Sequence, residues 1–360
     1  MRAFVTGGTG LLGRHLVEAL LGKGWEVAVL TRDPVRSGDL NERGVDIVEG
    51  DVTRPRFHAA VARADVLFHL AAWFELGVRD GRRMFDVNVT GTGNLLAMAR
   101  KESVPRIVFT STAGLFAPAT AARPATEASP IGAAVDDPYV ATKLEAHRLV
   151  VGEMHAGLPA TIVMPAAVFG PGDTNQLGRS LANLVRGRLR AIPRGFGMNT
   201  WSHAADVAEG HILAATRGRP GETYILADRV LGFHDFFRLA AAAAGVKAPR
   251  EVPMAVARLA AAASELSAWV RHGSPEIPRA ALELASLDVA VDASRARSEL
   301  GWRPRALEDR IAETMAWFTE EYVTRRAPLP VKRGDASAGG PPRTAGGPPG
   351  PGSRTPPRSG

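Results

Sequence analysis

The chain has 360 residues, 45% of them hydrophobic and 22% charged, a composition typical of one large or two closely fused globular domains. Because it contains no cysteine, disulfides, thiolate zinc sites and cysteine nucleophiles are excluded, and the nine scattered histidines favour no metal site. The formal net charge is +7, but five basic residues and one acidic residue lie beyond position 329, which leaves +3 for the rest. This distribution does not indicate a nucleic-acid-binding face.

The first thirteen residues combine an apolar strand with a glycine-rich turn. After residues 3–5, Gly7, Gly10 and Gly13 follow at a spacing of three, and an amphipathic helix and a second strand at 27–30 come next. Glycines at this spacing allow a tight turn, bring bare backbone to a pyrophosphate and let the helix pack closely on the sheet. The N–H groups at the helix N-terminus would then face phosphate oxygens. The segment predicts a dinucleotide site, the alternative being an ordinary glycine turn.

Apolar runs alternate with helical stretches along the first half of the chain. The predicted elements are strands at 45–52, 64–72 and 106–112 and a helix at about 84–101. This alternation predicts an α/β fold of Rossmann type with a doubly wound parallel sheet. Because ligands bind beyond the carboxyl ends of such strands, the glycine turn, Asp51, Ala71, Ala72 and Thr112 are predicted to border one crevice.

A helix is predicted to start at Asp137, where an acidic N-cap residue precedes Pro138. Tyr139 and Lys143 are four residues apart and therefore share one face of this helix. A nearby ammonium favours the phenolate and lowers the pKa of a phenol from about 10, which would let Tyr139 exchange a proton with a substrate oxygen near neutral pH. An ordinary surface pair is the alternative, and the preceding dinucleotide motif favours the chemical role.

Together these motifs resemble the extended short-chain dehydrogenase/reductase family (NAD-dependent epimerase/dehydratase superfamily), in particular its dihydroflavonol-4-reductase-like and hydroxysteroid-dehydrogenase-like members. The resemblance covers about residues 1–318. It is carried by residues 6–13, 51–52, 69–72, 88–92, 110–112 and 139–143, and by Pro165 before 169–173. It implies a Rossmann domain over residues 1–167 and a mainly substrate-binding α/β region over 168–328, partly interleaved with the first.

The resemblance also implies roles for individual residues. Tyr139 is the expected general acid/base, Lys143 tunes it and holds the nicotinamide ribose, and Thr112 orients the substrate oxygen, with Ser111 as the alternative. Asn88 is expected to support the site through hydrogen bonds. The implied cofactor-binding residues are Gly7, Thr9, Gly10, Leu11, Leu12, Gly13, Arg32, Asp51 and Val52 (against the adenine), Leu70, Ala71, Ala72, Thr110, Tyr139, Lys143 and Pro165. The candidate substrate-binding residues are Trp73, Phe74, Thr112 and Val168. Trp73 and Phe74 directly follow the fourth strand, a position suited to wall an apolar substrate, and ordinary packing is the alternative.

The end of the second strand bears on the choice of dinucleotide. Families that prefer NAD commonly place an acidic residue there for the ribose 2′-hydroxyl, whereas an arginine accommodates a 2′-phosphate. Thr31 occupies the acidic position here and Arg32 follows it, which favours NADP(H). NAD(H) remains the alternative, because Asp33 would supply the carboxylate for the ribose if the chain were shifted by two residues at this position.

Two departures from the family pattern reduce the number of reactions that the resemblance implies. Asn199 stands where members acting on nucleotide sugars often carry an arginine against the diphosphate, and Ala113 and Gly114 stand where sugar dehydratases carry an Asp-Glu pair. The resemblance then implies a reductase or dehydrogenase that transfers hydride to a ketone or aldehyde of a small, apolar substrate. The alternatives are a nucleotide-sugar epimerase with tightly bound NAD and a non-catalytic dinucleotide-binding protein.

The remaining expectations concern partners and location. We expect a small carbonyl or alcohol substrate, no nucleic acid and no membrane, and the resemblance implies a homodimer through helices at 138–154 and 84–100, with a monomer as the alternative. The helix at 254–270 is predicted to be buried or partner-facing, a membrane-surface role being its alternative. Residues 329–360 are predicted to form a disordered, basic tail rich in Pro and Gly. The absence of a recognisable signal peptide predicts a cytoplasmic location.

Overall fold

Strands and helices alternate along the chain, as the apolar pattern predicts. The computed structural model describes residues 1–78, 80–270, 279–326 and 328, so the tail predicted at 329–360 lies outside the described residues. The strands are β1 (Arg2–Thr6), β2 (Glu26–Thr31), β3 (Asp46–Glu49), β4 (Val66–His69), β5 (Ile107–Thr110), β6 (Ala160–Pro165), β7 (Ala167–Phe169), β8 (Ala191–Pro193), β9 (Met198–His203), β10 (Thr223–Leu226), β11 (Arg229–Gly232) and β12 (Arg250–Val252).

The helices lie mainly between these strands. They are α1 (Leu11–Gly22), α2 (Gly38–Glu42), α3 (His58–Val61), α4 (Arg82–Phe85), α5 (Gly91–Lys101), α6 (Pro138–His155), α7 (Gln176–Val185), α8 (Ala204–Arg217), α9 (Phe233–Ala243), α10 (Met254–Val270), α11 (Arg279–Ala285) and α12 (Leu307–Thr319). The helix predicted at about 84–101 is present as α4 and α5, joined by a π-helical turn at Asp86–Thr90.

Seven strands form the predicted parallel sheet. Their order is β10-β6-β5-β4-β1-β2-β3, which contains the 3-2-1-4-5-6 order of a doubly wound fold. The strand order reverses between β1 and β4, where Thr6 lies opposite His69. Residues such as Phe4, Leu67 and Val108 are fully buried, as expected of strands covered by helices on both faces. The fold therefore places a crevice beyond the carboxyl ends of β1 and β4.

The second half of the chain builds a smaller layer and also returns to the main sheet. One small sheet has the order β11-β9-β7, and β8 pairs with β12. Their core includes Trp201 stacked on Phe236 with ring centroids 3.8 Å apart. After β9, helix α8 packs on α1 and β10 joins the edge of the seven-stranded sheet beside β6. The two halves of the chain are therefore interleaved.

A buried ion pair ties α8 to α12. Arg310 donates to both carboxylate oxygens of Asp206, from Nε at 2.9 Å and from an η nitrogen at 2.6 Å. Both residues are at least nine-tenths buried, so the two parallel hydrogen bonds compensate for the lost hydration of the charges. Because α8 also packs on α1, the pair fixes the smaller layer against the crevice.

Helix α10, predicted to be buried or partner-facing, is not buried on all sides. Only Ala257 and Ala261 are buried among the side chains described there, and they pack with Leu282 of α11. The opposite face, with Leu259 and Leu266, is exposed. The periodic apolar pattern identified the helix, but it could not reveal that, within the described residues, only one of its faces packs, on α11 and β8. Within the described part of the chain, no helix combines the length and apolarity needed to cross a bilayer.

Candidate active site

The glycine turn between β1 and α1 has the backbone geometry that a phosphate group requires. Gly7 has a φ of +74°, and a Cβ there would lie 2.7 Å from the backbone nitrogen of Ala71. A Cβ on Gly13 would overlap the Gly7 carbonyl, so this glycine lets α1 approach the turn. Gly10 is the N-cap of α1 and supplies no side-chain cap, and the first turn carries no acidic residue. The N–H groups at this end are thus suited to bind the pyrophosphate of a dinucleotide.

A cavity of about 750 Å³ begins at this turn and runs into the smaller layer. Many of the predicted site residues line it, which shows that the topology brings the turn, the β5 end and α6 together. These lining residues are Gly7, Gly10, Leu11, Leu12, Gly13, Leu70, Ala72, Phe74, Thr110, Thr112, Tyr139 and Val168. Other predicted residues lie at the ends of the same strands or behind the wall, namely Thr9, Arg32, Asp51, Val52, Ala71, Trp73, Lys143 and Pro165.

Helix α6 begins at the predicted residue and presents Tyr139 to the cavity. Asp137 accepts hydrogen bonds of 2.8 Å from the backbone N–H groups of Tyr139 and Gly77, which caps the helix and holds the loop after β4. The ring of Phe74 lies edge-on to the Tyr139 ring, with centroids 4.8 Å apart. The phenol is therefore fixed by a cap on its backbone and an aromatic contact on its ring.

The pKa of Tyr139 is shifted in the direction opposite to the prediction. Burial, and then the negative charge of Asp137, raise the pKa of Tyr139 above its ordinary value. The expected lowering by Lys143 is not seen, because desolvation of the phenolate dominates. The tyrosine is consequently protonated at neutral pH.

Lys143 is buried one helical turn beyond Tyr139. Its Nζ donates a 2.8 Å hydrogen bond to the Thr110 carbonyl and lies 5.0 Å from the centroid of the Phe109 ring. Burial lowers the pKa of Lys143 to about 8, so the ammonium form still predominates at pH 7. The Thr110 side chain is held in turn by His211, whose Nε2 lies 2.9 Å from Oγ1. The ammonium thus lies directly beneath the cavity wall at the β5 end.

The two neighbouring hydroxyls after β5 point in different directions. Ser111 is buried, with its Oγ 2.9 Å from Nδ1 of His147. Thr112 lines the cavity, and its Oγ1 accepts a 3.2 Å hydrogen bond from the Gly114 N–H. The predicted strand 106–112 ends earlier, at Thr110, because Thr112 caps a short helical turn at Ala113–Leu115. This placement favours Thr112 over Ser111 as the hydroxyl available to a ligand.

Asn88 braces the loop that carries Phe74. Its side-chain oxygen accepts a 2.7 Å hydrogen bond from the Trp73 N–H, and its amide donates to the Trp73 carbonyl and to Thr142 Oγ1. Since Thr142 belongs to α6, this buried side chain joins the loop after β4 to the helix that bears Tyr139. The supporting role expected for Asn88 agrees with these contacts.

His69 holds the adjacent strand ends through a network that sequence reasoning did not identify. Thr92 donates to the Asn88 carbonyl, so its oxygen accepts from Nε2–H of His69, and Nδ1 of His69 accepts from Thr6. Burial lowers the pKa of His69 to about 3, which agrees with a neutral ring bonded on both sides. The network fixes the β1 and β4 ends between which the crevice opens.

The end of β2 exposes Arg32. Thr31 is buried, and its hydroxyl accepts a 3.2 Å hydrogen bond from the Asp33 N–H. Arg32 is exposed and forms no ion pair with any residue in the described ranges. At the end of β3, Asp51 accepts hydrogen bonds from the N–H and hydroxyl of Thr53. At the end of β2, where a family member would contact the adenosine ribose, the described residues leave the guanidinium of Arg32 without an ion pair. The side chain at position 31 is a hydroxyl and not a carboxylate.

Trp73 does not line the cavity, contrary to the prediction that it walls the substrate. Its indole N–H donates to Glu75 at 3.1 Å, and the guanidinium of Arg83 lies 5.3 Å from the ring centroid. Pro165 is likewise buried, at the end of β6, where it lies opposite Leu226 of β10. Contacts with Glu75 and Arg83 hold the Trp73 ring away from the cavity, whereas Phe74 lines it.

The far half of the cavity comes from the smaller layer and was largely missed by sequence reasoning. Its lining includes Asn175, Gln176, Phe196, Asn199, Phe233 and Leu282. Most of these residues lie at helix starts and loops without a recognisable motif, so no sequence signal marked them. Among the lining residues that belong to the described ranges there is no arginine or lysine.

Comparisons with known proteins identify the family of the chain, and the dinucleotide site described above is what that family requires. The chain matches the NAD-dependent epimerase/dehydratase family over residues 3–227. It is 32% identical over 311 residues to 4-hydroxy-2-methyl-3-oxo-4-farnesyl-3,4-dihydroquinoline-1-oxide ketoreductase of Stigmatella aurantiaca, covering 85% of this chain and 92% of the relative. A dihydroflavonol 4-reductase-like protein of Synechocystis sp. is 29% identical over 324 residues, covering 88% and 94% of the two chains.

A solved structure supports the same assignment. The crystal structure of gox2253 superposes with a TM-score of 0.75 at 30% identity, covering 88% of this chain and 98% of that chain. The match extends through the smaller layer as well as the main sheet. The chain therefore belongs to the NAD-dependent epimerase/dehydratase family and is an NAD(P)-dependent oxidoreductase of the extended short-chain dehydrogenase/reductase type.

Proposed function

We propose that the protein reduces a ketone or aldehyde of a small, apolar substrate, with Tyr139 as the proton donor. The observation that carries the proposal is the placement of Tyr139 and Thr112 on the wall of one cavity that starts at the glycine turn. When bound there, NADPH supplies the hydride for the carbonyl carbon. The residues implied to hold it include the glycine turn and, at the opposite end of the site, Lys143.

Each polar group has one role in this proposal. Thr112 donates a hydrogen bond to the carbonyl oxygen and fixes its position beside Tyr139. As the oxygen gains negative charge, Tyr139 transfers its phenolic proton to it and becomes a phenolate. The raised pKa of Tyr139 ensures that the proton is present at neutral pH. The tyrosine regains its proton from water after the alcohol leaves.

The lining of the far half favours an apolar substrate. Phe196, Phe233 and Phe237 contribute aromatic surface there, whereas Asn175 and Gln176 offer a few polar contacts. This mixture is typical of small-molecule sites that orient a mainly apolar ligand. The relative from Stigmatella aurantiaca is named as a ketoreductase of a farnesyl-bearing quinoline oxide, which agrees with this chemistry.

The same lining argues against the nucleotide-sugar epimerase. A diphosphate is normally held by charge-assisted hydrogen bonds from arginine or lysine. Asn199 lines the cavity at the position where members acting on nucleotide sugars often carry an arginine, and the described lining carries no basic side chain. A panel of apolar ketones and aldehydes should therefore oxidise NADPH, and UDP- and dTDP-sugars should not be epimerised. Protein that arrives from purification with NAD bound and epimerises a nucleotide sugar would contradict the proposal.

We further propose that Arg32 selects NADP(H) over NAD(H). Replacing Arg32 with alanine should weaken NADPH binding by roughly 10- to 100-fold, because a charge-assisted contact contributes about 1.5–3 kcal/mol. NADH binding should change little, and isothermal titration with both dinucleotides measures the two affinities. Arg63→Ala is the matched control. Arg63 is exposed and lies just before the amino end of β4, whereas Arg32 follows the carboxyl end of β2. Equal loss of NADH and NADPH affinity in Arg32→Ala would refute the selective role.

We also propose the division of labour implied by the family likeness. Residues 1–167 would bind the dinucleotide and 168–328 would mainly bind the substrate, with α8 and β10 returning to the first region. The proposed homodimer would use α6 together with α4 and α5. Phe85 of α4 is exposed in the single chain and is available to such a contact.

A further inference from the structure

The outer face of α10 carries a continuous exposed apolar stripe. Val256, Leu259, Ala263 and Leu266 follow one another at intervals of three or four residues and so share one helical face. The three larger residues are 53%, 74% and 63% exposed, respectively. Side chains of this size are seldom exposed in such a row unless the surface has a function.

This stripe borders the opening of the substrate cavity. Val256 and Ala260 line the cavity and are at the same time exposed to solvent, so the cavity opens beside them. The inner face of the helix, at Ala257 and Ala261, packs on Leu282. An apolar compound held against the stripe would therefore be adjacent to the cavity.

Basic side chains lie on α10 and in the segments that lead into β8 and β12, and β12 ends two residues before α10 begins. Those that are exposed and form no ion pair within the described ranges are Arg188 and Arg190 before β8, Lys247 and Arg250 before β12, and Arg258 on α10. The Arg250 N–H donates to the Arg190 carbonyl at 2.9 Å, which brings the two strand starts together. The nearby carboxylate of Glu251 is engaged by Arg194 at 3.0 Å. Five basic side chains against the exposed carboxylate of Glu283 on α11 leave the segments beside α10 with a net positive charge.

We propose that the outer face of α10 and the basic residues beside it dock the protein on the surface of a bilayer that contains anionic lipid. An apolar helical face flanked by arginine and lysine is the arrangement that binds such interfaces, because apolar burial and attraction to lipid headgroups act together. The helix lies on the membrane and does not cross it. Delivery of a membrane-dissolved substrate to the cavity is a further consequence, and that part alone rests on the proposed reductase function.

A second copy of the chain fits this surface less well than a bilayer. Three large apolar side chains supply only a fraction of the roughly 800 Å² that each partner buries in a stable protein interface. In a two-fold dimer through this face, the same basic cluster would lie near its own copy and repel it. Anionic headgroups instead complement the charge, and an acyl-chain boundary accepts the stripe.

Vesicle sedimentation tests the docking directly with the full-length protein. Vesicles of phosphatidylcholine with one-third phosphatidylglycerol should bind the protein, pure phosphatidylcholine should bind it much less, and high salt should release it. The double variant Leu259→Ser/Leu266→Ser should reduce binding at least tenfold, and Arg190→Glu/Arg250→Glu should do the same. Val323→Ser is the matched control, because Val323 is an exposed apolar residue outside α10.

The outcomes separate this proposal from its competitors. Unchanged vesicle binding in the double serine variant would overturn it, because the face of α10 would then not be needed. The basic C-terminal residues 330–360 would be the competing site of vesicle binding. Absence of binding to anionic vesicles would also overturn it, as would a wild-type dimer that the serine variant converts to a monomer without any vesicle binding. NADPH affinity and circular dichroism of each variant report whether the fold is intact. Vesicle binding needs no turnover, so its failure is distinguishable from failure of the proposed function.

Discussion

Replacing Tyr139 with phenylalanine is expected to lower kcat by roughly 100- to 10,000-fold, the usual contribution of a positioned general acid. The ring contact with Phe74 and the Asp137 cap do not involve the hydroxyl, so the fold and the cavity should be retained. NADPH affinity should be nearly unchanged. Steady-state kinetics on an accepted ketone, together with a dinucleotide titration, measure both effects.

The chain provides a matched control for this substitution. Tyr224 is buried in β10, and its hydroxyl donates to Glu299 at 3.0 Å, outside the cavity lining. Tyr224→Phe should cost about 1 kcal/mol of stability through the lost hydrogen bond and leave kcat nearly intact. Normal turnover by Tyr139→Phe, or an equal loss in both variants, would remove Tyr139 from the chemistry.

Replacing Gly13 with alanine is expected to have the largest effect on dinucleotide binding. The added Cβ would overlap the Gly7 carbonyl and lie 2.7 Å from the Gly8 Cα, and backbone atoms cannot rotate away as a side chain can. Helix α1 would have to move off the turn, at a cost of about 2 kcal/mol or more in stability. NADPH affinity should fall at least tenfold, because the helix N-terminus loses its position against the phosphates.

Gly22→Ala is the matched control in the same helix. It shows the effect of adding alanine to α1 without the clash that a Cβ at Gly13 would cause. A Cβ at Gly22 meets no atom within 4 Å, and alanine is the better helix former. This variant should be as stable as the wild type or slightly more stable, with unchanged NADPH affinity. Thermal unfolding and titration compare the two. Wild-type affinity in Gly13→Ala would contradict the assigned role of the turn.

The main sheet and the near half of the site were predictable because they depend on local patterns. The spacing of Gly7, Gly10 and Gly13 determines the turn geometry, and apolar runs buried on both faces indicate parallel strands. The cap at Asp137 likewise located α6 at the residue where it begins. These features require only neighbours along the chain, so one sequence is sufficient to identify them.

Other properties depend on groups that are distant in sequence. The pKa of Tyr139 rises because the folded chain excludes water from it, which a four-residue spacing to Lys143 cannot reveal. The direction of the Trp73 ring is determined by Glu75 and Arg83 once the loop after β4 is folded. The far cavity wall is assembled from several helices without motifs, so its aromatic lining became visible only in three dimensions.

The most direct test of the central claim follows the hydride itself. The protein is incubated with NADPH that carries deuterium at both C4 positions of the nicotinamide and with an apolar ketone from the panel, and the alcohol is analysed by mass spectrometry and NMR. The proposed reaction predicts a single deuterium on the carbinol carbon and one NADP⁺ formed for each alcohol. Alcohol without deuterium at that carbon, or no reduction of any carbonyl compound by protein that binds NADPH, would contradict it.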